Sequence, residues 1–242
     1  MHKLEYYNQA FFELSIGLER LGKLIFIADH VIRYNGRLPT NYNLRTIGHD
    51  VLTLLDECEI IGDQLSKNRL FYERPNDVIH NGIVEVLSMF AKTLRYYNLN
   101  LLTGAQSNQA DPIGLWWKKV GEPICDKHYT ESQRKQDEED GQVLDDGFSK
   151  NSIFLHMSEE GVPLTSVSSL YVRGRAIRVV QLYGRLYTLQ IVRWLTSLIM
   201  ELEHRGAYES RIQALLGLPE SFVIFFNEDT YIRERKTWTI YT

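Results

Sequence analysis

The stretch AFFELSIGLERLGKLIFIADHVI, residues 10–32, sets apolar side chains at Phe11, Leu14, Leu18, Leu21, Ile25, Ala28 and Ile32. Steps of three and four gather them into one stripe on one face of a helix, since an α-helix turns about 100° per residue. The helix is expected to stop in RYNGRLPTN, residues 33–41, where Gly36 supplies a reversal and Pro39 cannot continue a helical ladder.

The same period recurs further along the chain. A second stripe runs through Leu44, Ile47, Val51, Leu54, Cys58, Ile61 and Leu65, with Asn41 or Asn43 as N-cap, and two stripes joined by a short turn-rich link pack as an antiparallel pair. A third helix opens at RPNDVIHNG, with Pro75 in the first turn, Asn76 and Asp77 at its positive end, and a stripe of Ile79, Ile83, Val86 and Phe90. A long helix over residues 166–204 buries Ile177, Val180, Tyr187, Ile191, Trp194 and Leu198. Gly184 lies on the same face, where a missing Cβ permits close helix approach.

These elements predict an all-α fold, an up-and-down bundle of long helices forming one domain over residues 1–242. Residues 1–104 form its helical core, 105–165 an irregular excursion, and 166–242 a long helix plus tail. Within the excursion Trp116 and Trp117 anchor a loop and short helical pieces. The acidic run ESQRKQDEEDGQVLDDGFSKN, residues 131–151, is expected to be mobile for want of apolar side chains to hold it. After Gly206 a short helix is expected in YESRIQALLGL, and the aromatic, β-branched tail 221–242 suits a short C-terminal β-hairpin.

A net charge of −4 over 242 residues gives no general basic excess, so any nucleic-acid contact needs a local patch. Cys58 and Cys125 stand far apart, with no second Cys or His at metal-ligand spacing, which argues against a zinc site and a disulfide framework and fits a reducing compartment. Glu5 and Asn8 fall where a signal peptide needs an apolar core, and Gln181, Arg185, Gln190 and Arg193 interrupt the longest apolar helical segment. A cytoplasmic protein with no membrane partner is expected. A Gly-rich phosphate loop, a nucleophilic Ser or Cys motif and a His–Glu metal cluster are all absent from the sequence, so no cofactor and no metal are expected.

Three groups of residues carry candidate chemistry. Arg45 and His49, four apart, share a face if the helix is continuous: either a phosphate-binding Arg beside a proton-transferring His, or a helix start serving hydrogen bonding and packing. Arg74 and His80 frame a helix start with Asn76 and Asn81 nearby, again either a catalytic pair or a capped start with an incidental His. Arg175, Arg178, Arg185 and Arg193 fall within an arc of roughly 80° opposite the apolar stripe of the long helix. That ridge could follow an RNA backbone, or be a solvated face that pairs with the acidic run of the same chain.

The segment 10–32, with its Glu-Arg-Leu-x-Lys-Leu run, together with GHDVLTLLDE at residues 48–57, resembles the first two helices of the HEPN superfamily, helical nucleotide-binding and RNase domains of prokaryotic defence and toxin systems. The resemblance covers about the first quarter of the chain. It implies a helical bundle that pairs as a homodimer and, in RNA-cleaving members, metal-independent chemistry by an Arg and a His separated by about four to six residues. There the His assists attack by the ribose 2′-hydroxyl and the Arg stabilises the phosphorane charge. Arg74 and His80 match that spacing, while Arg45 and His49 miss it by one residue. Pro75 follows Arg74 where active members carry a polar residue, and the C-terminal half exceeds a minimal domain of this kind, leaving room for RNA or partner binding. His49 is then a structural residue at the start of the second helix. The function expected is RNA binding or metal-independent RNA cleavage in a defence or stress system, with a non-catalytic helical interaction protein, binding a protein partner or nucleotide, as the alternative.

Overall fold

The computed structural model describes residues 2–46, 48–65, 72–97, 100, 103–104, 110–148 and 156–235, and its fold is all-α. Helix α1 (His2–Arg33) buries Phe11, Leu18, Leu21, Ile25 and Ala28, the stripe read from the sequence. It ends where Asn35 and Gly36 turn to positive φ of 51° and 89°, letting the Gly36 N–H reach back to the Val31 carbonyl at 2.8 Å.

The second helix begins later than the asparagines suggest. A short helix α2 (Asn41–Thr46) buries nothing, Gly48 takes a φ of 69°, and α3 (Val51–Gln64) starts anew with Asp50 as its N-cap. Ile47, one residue of the expected stripe, lies outside the described residues. Asp50 accepts from the Leu52 N–H at 3.2 Å and the Thr53 hydroxyl at 2.9 Å, while Ser88 and Lys92 of the third long helix converge on the same carboxylate. Burial would raise the Asp50 carboxyl, but hydrogen bonds from Lys92, Ser88 and Thr53, with the Lys92 charge, outweigh it and hold the group at about 2.

A carboxyl held below its unfolded value of 3.8 stabilises the fold above that pH and loses the contribution as pH falls toward about 2. Asp50→Ala is therefore expected to cost about 2 kcal/mol at neutral pH. Urea unfolding checks this, because the gap between native and variant chains should shrink on acidification.

Helix α4 (Val78–Lys92) is capped by Asp77, whose Oδ1 accepts from the Ile79 and His80 N–H groups at 3.0 Å each, and it buries Ile79, Ile83, Val86 and Phe90 as expected. The central segment departs from expectation. Residues 110–148 are not an irregular excursion: α5 (Pro112–Trp116) runs through a π turn (Trp117–Gly121) into α6 (Glu122–His128), followed by α7 (Glu131–Phe148). Pro123 has no N–H to offer the Lys119 carbonyl four residues back, and the helix widens just ahead of it. Trp116 and Trp117 are buried, as predicted.

The acidic run, expected to be mobile, is α7 as far as Phe148; residues 149–151 lie outside the described residues. Polar contacts hold it where apolar ones are scarce. Buried Asp137 accepts from the Tyr129 hydroxyl and from Arg175 Nε, both at 2.8 Å, and Arg134 donates to the Tyr129 and Cys125 carbonyls at 2.9 and 2.8 Å. A two-stranded antiparallel ribbon, β1 (His156–Met157) with β2 (Pro163–Leu164), leads into α8 (Val167–Glu203). Ser166 and Ser169 form a capping box at the start of α8.

Helix α8 buries Val180, Tyr187, Ile191, Trp194 and Leu198, and with α1, α3 and α4 it encloses the core. Gly184 is not the close contact expected: a Cβ there would sit 3.7 Å from Trp116, an ordinary distance. The tight approach is at Gly82 of α4, where a Cβ would lie 2.3 Å from the Lys119 carbonyl oxygen of the π turn.

Beyond α8 the short helix expected after Gly206 is replaced by a π turn (His204–Glu209) and a 3-10 turn (Gln213–Leu215). The expected hairpin does not form in the described part of the tail. Phe222 and Val223 N–H groups bond to the Pro219 carbonyl at 2.8 and 3.1 Å, spending donors that a strand would need. Residues Val223–Phe225 make a 3-10 turn and Asp229–Glu234 a helix, α9, while residues 236–242 lie outside the described residues. Among the described residues, no helix is long and apolar enough to cross a membrane.

Candidate functional site

Arg74 and His80 both sit against α8, each engaged by neighbours. Arg74 Nη1 lies 2.7 Å from Asp56 Oδ1 and 2.7 Å from Glu59 Oε2 on α3, and its guanidinium is 5.7 Å from the Trp194 ring centroid. His80, only 6 % exposed, has Nδ1 2.8 Å from Asp77 Oδ1 and Nε2 2.8 Å from Gln190 Oε1, with its ring edge-on to Tyr187. Gln190 Nε2 in turn donates to Asp229 Oδ2 at 2.8 Å, which fixes the amide so that its oxygen faces His80. Asp229 pairs with Arg193 at 2.8 Å, and Arg193 donates to the Asn227 carbonyl at 2.7 Å. One polar chain thus ties the start of α4 through α8 to α9.

Basic and aromatic groups flank this chain. Lys127 lies 3.1 Å from Asp77, and His128 stacks on Tyr183 with centroids 3.6 Å apart while its Nε2 meets the Tyr187 hydroxyl at 2.9 Å. Burial would raise the Asp77 carboxyl, but the His80 N–H and Lys127 bring it below the ordinary carboxylate range. Burial, then the Lys127 charge, push the His128 imidazole down. Among the described residues, no three His, Cys, Asp or Glu side chains are placed to hold a metal ion. Burial pushes the Cys58 thiol up to about 12, the opposite of an activated nucleophile.

Arg45 and His49 do not share a helix face, because Gly48 breaks the helix between them. His49 is exposed and its Nδ1 lies 2.9 Å from Glu19 Oε1, a link from the α2–α3 turn to α1; capping falls to Asp50 instead. The arginine ridge is not a continuous open row either. Arg175 pairs with Asp137, Arg185 donates to the Arg233 carbonyl at 2.5 Å, and Arg193 is buried under the returning chain, whereas Arg178 is exposed. Arg173, unremarked in the sequence, lies 3.5 Å over the Trp117 ring and reaches Glu159 and Glu160 at 2.5 Å each.

A cavity of about 570 Å³ opens between the N-terminal half of α1 and the middle of α8, with Trp116 and Phe225 also on its lining. Tyr7, Phe11 and Val180 form its apolar walls, and Arg185 is the one charged side chain on its described lining. No sequence signal marked it, because residues that wall a cavity repeat with the same period as residues that fill a core. Fold and site together define an all-α helical protein with an apolar cavity and a polar chain joining α4, α8 and α9. Comparison with family models, curated proteins and solved structures finds no match.

Proposed function

We propose that this chain is a non-catalytic helical interaction protein. The observation carrying this reading is the engagement of His80: both imidazole nitrogens of this buried side chain face side-chain oxygens, while two carboxylates sit on Nη1 of Arg74. A general base needs one nitrogen within reach of a substrate hydroxyl, and His80 has both nitrogens engaged.

The second reading, an RNA-binding or metal-independent RNA-cleaving HEPN-like homodimer of a defence or stress system, draws support from the Asp77–His80 contact with Lys127 and His128 beside it. Cleavage of structured and unstructured RNAs in EDTA separates the two. The native chain is expected to show no cleavage, so His80→Ala and His49→Ala should match it. Cleavage that disappears with His80→Ala while helical circular dichroism persists would establish the ribonuclease instead.

A further inference from the structure

Among the arginines packed along α8, Arg185 differs from its neighbours. Arg173, Arg175 and Arg193 each meet a carboxylate, whereas Arg185 spends Nη2 on the Arg233 carbonyl at 2.5 Å; its buried Nε, like that of Arg193, makes no hydrogen bond. It has no carboxylate partner among the described residues, and it stands on the lining of the apolar cavity. A cation held against apolar walls without an anion is costly, and an anion arriving there regains charge-assisted hydrogen bonds.

The lining also limits what kind of anion fits. A phosphomonoester would bring a second negative charge with no second cation on the described lining to balance it. A nucleoside would need several polar partners, yet the Thr188 hydroxyl is already spent on the Gly184 carbonyl at 2.8 Å, leaving few beyond Gln181 and Tyr7. Burial above all, then the Glu159 charge, raise the Tyr7 phenol, which stays a neutral O–H donor. The volume of about 570 Å³ falls within the range of small-ligand pockets.

We propose that the cavity between α1 and α8 binds an amphipathic monocarboxylate, its apolar chain lying against Phe11, Trp116 and Val180 and its carboxylate on the Arg185 guanidinium. This extends the binding reading above to a ligand class. If the ligand class fails, the non-catalytic reading stands; if His80-dependent RNA cleavage appears, that reading falls and the cavity is untouched.

Calorimetric titration of the full chain with decanoate and with 1-decanol tests it. Decanoate should bind at one site and more tightly than 1-decanol. Arg185→Met should weaken decanoate about tenfold or more and leave 1-decanol nearly unchanged, the loss expected for a hydrogen-bonded charge. Ala10→Trp, placed on the cavity wall at an exposed helical position, should weaken both ligands, and it serves if Arg185→Met does not fold. A native chain that takes up no decanoate, or an Arg185→Met chain that binds it as the native chain does, overturns the proposal.

Discussion

Gly82→Ala is expected to destabilise the fold by about 2 to 3 kcal/mol, although alanine is the better helix former by about 1 kcal/mol. The added Cβ would stand 2.3 Å from the Lys119 carbonyl oxygen, and that oxygen belongs to backbone, so no side-chain rotation relieves the clash. Either α4 or the π turn must move, and the buried Ile79, Ile83 and Val120 move with them. Gly17→Ala is the control: nothing lies within 4 Å of a Cβ there, and the position is exposed on α1. That change is expected to stabilise by about 0.5 to 1 kcal/mol. Two glycine-to-alanine changes of opposite sign, read by urea unfolding, would locate the tight helix crossing at Gly82.

The contrast with Gly184 shows what a sequence can carry. Hydropathy period placed Gly184 on the buried face of α8, where it lies, but period says nothing of the distance to the neighbouring helix. The stripes of α1, α4 and α8 were legible because burial of apolar side chains decides their faces. Helix α7 was not, since its anchors are Asp137, Arg134 and Asp145, whose Oδ1 accepts from the Val167 N–H at 2.8 Å. Polar anchors have no period. The restart of the second helix at Asp50 turns on Gly48 in a left-handed conformation, which competed with two plausible asparagine caps upstream.

The sequence singled out His80 as a candidate but carried no sign of its surroundings. Gln190 lies 110 positions away in the chain, and no local spacing announces that pairing. The arginine ridge is interrupted for a related reason. Its angular position on α8 was sound, but the chain between Phe222 and Arg235 returns over that polar face, contributing Asn227, Asp229 and Arg233 as partners. A helical wheel describes a face before anything has packed on it.

Trp194→Ala is expected to cost about 3 to 5 kcal/mol, the largest single loss among these changes. Trp194 is 2 % exposed and stands in the core among residues of α1, α3 and α8, so truncation forfeits its burial and leaves a cavity that rigid helices cannot close. It also removes the ring beside Arg74. Arg74→Ala alone should cost only about 1 kcal/mol, because its partners Asp56 and Glu59 are 55 % and 50 % exposed and pairs of that kind contribute little. The two values, measured by chemical denaturation, bear on function. A small cost at Arg74 fits a weak pair with exposed carboxylates that a phosphate could displace, and leaves the engagement of His80 as the argument against catalysis. A cost near that of Trp194→Ala would instead make Arg74 a fixed part of the core, held in place and unable to turn toward any phosphate, and only that outcome would count against the ribonuclease reading at Arg74.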